Sequence, residues 1–247
     1  MPRQILRLMI ALCFSAPLLL ACRAESESPK SESGADADIG VDRRVLSSRI
    51  TNPWVGFGSV KRAVYEGEEL DPETEETVDV RMEYTVRETP ETVAGVSVTV
   101  VDVSDFEDGE LVEKTQDYYA QGPDGVVYYL GERVDDLEDG KVVGHGGQWL
   151  AGEKKALAGL FMPATPKMGD VFEQERAPGI AEDRSTVIAT HKSVELPAGI
   201  FQDCIEVEDF DPISGSKQRK IYCRGVGLVR EIFGEGRSLD LIEIESR

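Results

Sequence analysis

The sequence predicts a mainly β, single-domain protein: a curved antiparallel sheet of meander, half-barrel or sandwich-like form, with at most one short helix. Three observations carry this. Residues 78–87 alternate strictly, with Val78, Val80, Met82, Tyr84 and Val86 on one face and mostly charged side chains on the other. That period of two marks a half-buried antiparallel strand. Glycine-bearing turns separate the successive runs, at Asp108-Gly109, Gly122-Pro123-Asp124-Gly125, Asp139-Gly140 and Gly234-Glu235-Gly236, as hairpins require. Finally, two runs slip phase by one residue. Val96, Val98 and Val100 give way to Val101 and Val103, and Leu239 and Leu241 to Ile242 and Ile244. Such slips predict β-bulges, which bend and twist a sheet.

The N-terminal residues are of another kind. Arg3 and Arg7 precede an apolar run from Leu8 to Leu20, with small Ala21 before Cys22. A basic start, a short apolar core and a small residue before the cut form a secretory signal, expected over residues 1–21. Leu19-Leu20-Ala21-Cys22 resembles the bacterial lipobox, although Leu20 is not the commonest residue at its place. The resemblance implies lipidation of Cys22, including palmitate, and a membrane partner reached through that lipid. An ordinary secretory signal that happens to contain a cysteine is the plainer alternative. Stable anchoring takes more than one acyl chain, which a bacterial lipoprotein carries. Arg23, rather than Asp, follows the cysteine. That favours the outer membrane in a Gram-negative host and the cell surface otherwise. Residues 22–42 are rich in Ser, Glu, Asp and Ala; they are expected to form a disordered acidic tether, because they bury too little to offset their ordering entropy. The β-rich domain is expected over residues 43–247.

Charge narrows the function classes. The full chain carries −20, and loss of Arg3 and Arg7 with the signal leaves 25 basic against 47 acidic residues. Nucleic acid is therefore not an expected partner, since its phosphates recruit clustered Lys and Arg. An acidic, soluble surface is the simplest account of the balance.

Of the four cysteines, Cys13 leaves with the signal and Cys22 takes lipid, so Cys204 and Cys223 remain in an oxidising compartment. They flank a predicted hairpin, in which residues 201–208 lead through Asp211-Pro212-Ile213-Ser214-Gly215-Ser216 into residues 217–223. If Asp211 pairs with Ser216, Glu208 faces Arg219, Glu206 faces Ile221, and Cys204 faces Cys223 within disulfide range. A structural disulfide is expected; a redox pair would use C-x-x-C spacing. The one segment at helical spacing is Gly152–Met162, through Ala156, Leu157, Leu160 and Phe161, ended by Pro163 and Pro166.

Several stretches together resemble a family of exported bacterial β-rich proteins and lipoproteins of unknown function. They include Trp149-Leu150-Ala151-Gly152, Met162-Pro163-Ala164 with Pro166, Pro197-Ala198-Gly199 and Gly225-Val226-Gly227-Leu228-Val229. The similarity spans most of residues 50–230. It departs near residues 55–63, where the family usually has a Pro-Gly turn, and at Cys223. It implies no catalytic residues.

No catalytic constellation, cofactor motif or zinc spacing is legible. His145 lies in a glycine-rich loop and His191 on a predicted strand's solvent side; both read as solvated residues. Asp135–Gly140 reads as an acidic turn, because Leu137 falls where a calcium loop needs oxygen. The candidate ligand surface is aromatic: Tyr118, Tyr119, Tyr128, Tyr129 and Trp149. If Gln121 pairs with Val126, Tyr119 faces Tyr128 and Tyr118 faces Tyr129. Core packing on one face and a covered or exposed ladder on the other explains them without a ligand, and is the simpler account. Three functions follow: a non-catalytic binding or structural module of the envelope with an apolar or carbohydrate ligand, a carrier holding an apolar ligand within the sheet, or an enzyme using carboxylates such as Glu182 and Asp183.

Overall fold

A computed structural model describes residues 37–70, 76–234 and 236–247. The signal, Cys22, residues 22–36 of the expected tether and Glu235 lie outside the described residues. The strands in chain order are β1 (Val60–Leu70), β2 (Thr77–Val86), β3 (Glu91–Val93), β4 (Val96–Glu107), β5 (Glu110–Gln121), β6 (Val127–Glu138), β7 (Lys141–Gly144), β8 (Trp149–Leu150), β9 (Gly159–Met162), β10 (Val171–Glu173), β11 (Arg184–Leu196), β12 (Gly199–Phe210), β13 (Lys217–Cys223), β14 (Gly227–Gly234) and β15 (Arg237–Ser246). The mainly β, single-domain expectation holds.

All pairings are antiparallel, in the order β10-β11-β12-β13-β14-β15-β1-β2-β4-β5-β6-β7, with β8 and β9 also on β6. β1 and β15, far apart in sequence, lie side by side, with Tyr65 opposite Leu241. The two ends of the sheet then curl toward each other. The backbone bridge from Leu157 N to Arg176 O at 2.9 Å joins the segments beside β9 and β10. At Gly159 a Cβ would come within 1.9 Å of the Gln174 carbonyl. Only glycine lets the two backbones approach this closely. The sheet thus wraps around one interior, with its seam between β9 and β10.

The local chemistry follows the turns. Asp108 and Gly109 have φ of 48° and 81°, and Asp139 and Gly140 have 51° and 71°. Both pairs make the two-residue hairpins that the strand twist favours. The phase slip near the C terminus is a bulge, since Val64 faces Glu243 and Tyr65 faces Leu241, leaving Ile242 extra. The slip at Val100/Val101 is not. Residues 96–103 pair continuously with their neighbours. The strand keeps its alternation while burial passes from one face to the other.

Two further expectations change. No helix forms over Gly152–Met162. Lys154 and Lys155 take positive φ in a turn, and Gly159–Met162 becomes a strand on β6. An isolated segment this short, with Gly152 and Gly159 in it, is a poor helix; the backbone of β6 beyond β7 gives it a hydrogen-bonded alternative. The expected tether boundary at residue 42 also moves. Ile39 is buried, its carbonyl accepts from Ala158 N at 2.9 Å, and Val41 packs on the core. Apolar Ile39 and Val41 suffice to order this stretch, and the folded unit includes residues 37–42. The only helical turn among the described residues is a 3-10 turn at Arg43–Val45, capped by Asp42.

The β12–β13 hairpin has the predicted register throughout: Glu208 faces Arg219, Glu206 faces Ile221, Cys204 faces Cys223, and a Cys204–Cys223 disulfide joins them. Its loop spans 19 residues, and closing such a loop stabilises by about 3 kcal/mol in the chain-entropy model. A Cys204→Ser, Cys223→Ser variant should unfold at a lower urea midpoint than oxidised wild type and match wild type unfolded with reductant present.

Candidate functional site

Chemistry-bearing residues converge on the inner face of the sheet. Its character comes from strand alternation. Along β4, the odd residues Val101, Val103, Asp105 and Glu107 point inward; along β2, the partners are Val86, Tyr84, Met82 and Val80. Crossing to β5 and β6, Asp105 faces Glu113 and Glu113 faces Asp136, while Val101 faces Asp117 and Asp117 faces Glu132. On the far wall Lys220 of β13 sits between Val207 and Glu231. Apolar rows therefore alternate with rows of directly opposed carboxyls, an arrangement that is destabilising while both partners are charged.

These groups are deeply buried. Asp105, Glu107, Glu113, Asp117, Glu132, Asp136, Glu175, Asp209 and Glu231 are each at most 5 % exposed. Among the described residues their fully buried cationic companion is Lys220, whose Nζ lies 3.1 Å from Asp209 and 3.7 Å from Glu231. Asp117 accepts from the Thr115 hydroxyl at 2.8 Å and from Tyr119 at 3.4 Å. Ser185 lies 2.6 Å from Asp209 and 2.7 Å from Gln174. Neither oxygen of Asp105, nor Oε1 of Glu132, nor Oε2 of Glu175 has a hydrogen-bond partner among the described residues.

Burial sets the proton affinities. Desolvation pushes Asp105, Glu132 and Glu175 well above the usual carboxylate range, reinforced by neighbouring acids. Burial also raises Asp117 to about 6, and Asp183 and Glu69 to about 7. Burial alone would lower Lys220, but Asp209 and Glu231 outweigh it and hold the ammonium charged. Asp105, Glu132 and Glu175 are thereby held as neutral acids, while Lys220 keeps its charge.

Aromatic rings fill the other end. Tyr119 stacks on Tyr129 at 4.8 Å, Phe161 lies 4.8 Å from Tyr119, and Trp149 meets Tyr129 edge-on at 5.5 Å. Between rings and acids lies a cavity of about 60 Å³, bordered by Tyr119, Phe161 and Tyr222 and by Asp117, Glu175 and Lys220.

The structure relocates the sequence-predicted aromatic set. Tyr119 faces Tyr129, and Tyr128 faces Ala120, because the turn closes with Gly122 opposite Val126 and Gln121 opposite Val127; the extra residue in β6 beside Gly131 lies beyond these pairs. Tyr118 is buried on the opposite face beside Val100, Tyr128 is partly exposed, and Tyr119, Tyr129 and Trp149 are core. They form no exposed ligand surface together. Glu182 caps a turn through Gly179 N, whereas Asp183 reaches the acidic wall beside Lys220. His145 bonds the Val134 carbonyl, and His191 pairs with Glu206, which also holds Arg219. Asp139-Gly140 turns the β6–β7 hairpin, as expected. No group of three or more His, Cys, Asp or Glu among the described residues is placed to hold a metal ion.

No protein-family model matches the sequence, and no curated protein is similar to it. Among solved structures, the chain is similar to a protein from Parabacteroides distasonis described as a candidate lipoprotein. Identity is 15 % and the TM-score 0.34, over 76 % of this chain and 94 % of the other.

The buried carboxyls missed by sequence reading have a signal in retrospect: Asp105, Glu107, Glu113 and Asp117 occupy the inward phase of apolar-patterned strands. Two outcomes follow from the wall. Lys220→Met should cost about 3–5 kcal/mol, because it strands its acid partners without a counter-charge; urea unfolding measures it, and Asp209→Asn in the same background should restore part of the loss. The pH dependence has a definite sign. The folded state binds more protons than the unfolded one, so stability is full below the ordinary carboxylate values near 4 and is lost as pH rises through 6 to 7 at Asp117, Asp183 and Glu69. Glu83, held low by Arg62 and Arg81, pulls the other way at acid pH. Thermal unfolding scans should give a lower midpoint at pH 8 than at pH 5.5.

Proposed function

We propose that this chain is an exported, lipid-anchored protein of the bacterial cell envelope that acts as a non-catalytic binding or structural module. The observation that carries the module reading is the filled interior. Its cavity is about 60 Å³, against roughly 300–1,000 Å³ for pockets that enclose a drug-sized ligand. A sugar or acyl chain does not fit inside, so a partner of either kind meets the outer surface. Anchorage is supported by the Leu19-Leu20-Ala21-Cys22 motif and the acidic, apolar-poor segment after it.

A second reading, a carrier for an apolar ligand, draws support from the aromatic lining of the cavity and requires the sheet to expand. The two readings separate in one measurement. Native mass spectrometry of the gently purified protein should give the mass of the acylated chain alone; a co-purifying lipid would favour the carrier. Labelling cells with palmitate should mark the wild type and leave Cys22→Ala unmarked, and equal label in both would reject anchorage at this cysteine.

A further inference from the structure

The sheet closes everywhere through continuous ladders except at its seam, where β9 on β6 meets β10 on β11. There the closure rests on the Leu157–Arg176 bridge and the glycine-backbone contact at Gly159. Three buried acids stand by this seam, two on one side of it and one on the other. Asp117 and Glu132 are directly opposed on β5 and β6. Glu175 follows β10 on the other side and borders the same cavity as Asp117. Glu132 Oε1 and Glu175 Oε2 carry no hydrogen bond from any described group. An ionised carboxylate in that position would face other carboxylates in a low-dielectric interior, where repulsion is strong.

We propose that Asp117, Glu132 and Glu175 form a proton-dependent latch across the β9/β10 seam, closed while the acids hold protons and opened by their ionisation. The surrounding charges favour opening as ionisation proceeds. Asp105 on β4, Glu113 on β5, Asp136 on β6, Asp183 before β11, Asp209 on β12 and Glu231 on β14 are all acids, and Lys220 on β13 is the one fully buried opposing cation among the described residues. The phenols of Tyr119, Tyr129 and Tyr222 stay neutral throughout, held up by burial. Carboxyls desolvated by burial bind protons more tightly than exposed ones, which places the transition above the ordinary carboxylate range. Opening would enlarge the aromatic-lined cavity and admit an apolar group that the closed form excludes. This goes beyond the module reading, because it concerns how the interior becomes accessible.

Hydrogen exchange of the full-length protein between pH 6 and 9, corrected for intrinsic rates, tests the latch. Peptides covering residues 157–176 should lose protection by tenfold or more, while the disulfide-closed β12–β13 hairpin keeps its own. In Glu132→Gln, Glu175→Gln the seam should hold its protection to pH 9. Constant seam protection in the wild type, equal loss in the double variant, or simultaneous loss in the hairpin would overturn the proposal. Should the double variant fail to fold, wild type with the neutral dye Nile red decides: fluorescence should rise reversibly over the same pH range, and a flat response rejects the latch.

Discussion

The constraint on which this fold depends is the burial of acid on the inner face of a closing sheet. Opposed carboxyls on adjacent strands repel when charged, and among the described residues Lys220 is the fully buried cation set against them. The sheet can close only if most of those groups hold a proton or a donor. Thr115, Tyr119 and Ser185 provide donors where strand alternation places them beside Asp117 and Asp209. At Asp105, Glu132 and Glu175 burial itself retains the proton, since the neutral acid is far easier to desolvate than its anion. Curvature, seam and ionisation are therefore one problem. The tighter the sheet wraps, the drier the wall and the firmer its hold on protons.

How much of this was legible depended on whether local pattern or distant partners decided the outcome. The alternation of Val80, Met82, Tyr84 and Val86, the two-residue turns and the Cys204–Cys223 hairpin are local matters; turn geometry fixes register, and register fixes the disulfide. Tyr119 and Tyr129 pair one residue away from the expected register because Gln121 closes the turn against Val127 and not Val126, and a one-residue difference in turn closure moves every pair that follows. Residues 156–162 have helical spacing, yet the free edge of β6 claimed them. The carboxyl wall was hidden for a related reason. An acid on a strand is ordinarily outward, and only the pairing of β4 with β5 and β5 with β6 makes Asp105, Glu113 and Asp136 neighbours.

The two ends of the interior divide the work of stability. Stacked and edge-on rings around Phe161 and Tyr119 give dense apolar packing that is indifferent to solvent acidity. The acidic rows give packing whose strength follows proton activity. A core of hydrocarbon alone would have been simpler and no less stable, because buried ionic groups seldom exceed the stability of apolar replacements. The acid wall is thus better understood as responsiveness built into the packing than as reinforcement.

The N-terminal contact at Ile39 joins the chain to that responsive region. Ile39 accepts from Ala158, and Gly40 lies against Leu157 and Arg176, the residues that bridge the seam. Tension drawn through the preceding chain is delivered first to the weakest line of the sheet, and not spread over its ladders. Pulled along the chain, the backbone bonds at Ile39 and Leu157 bear the force ahead of the disulfide-closed hairpin. A pull applied at Ile39 would therefore unfasten the seam first.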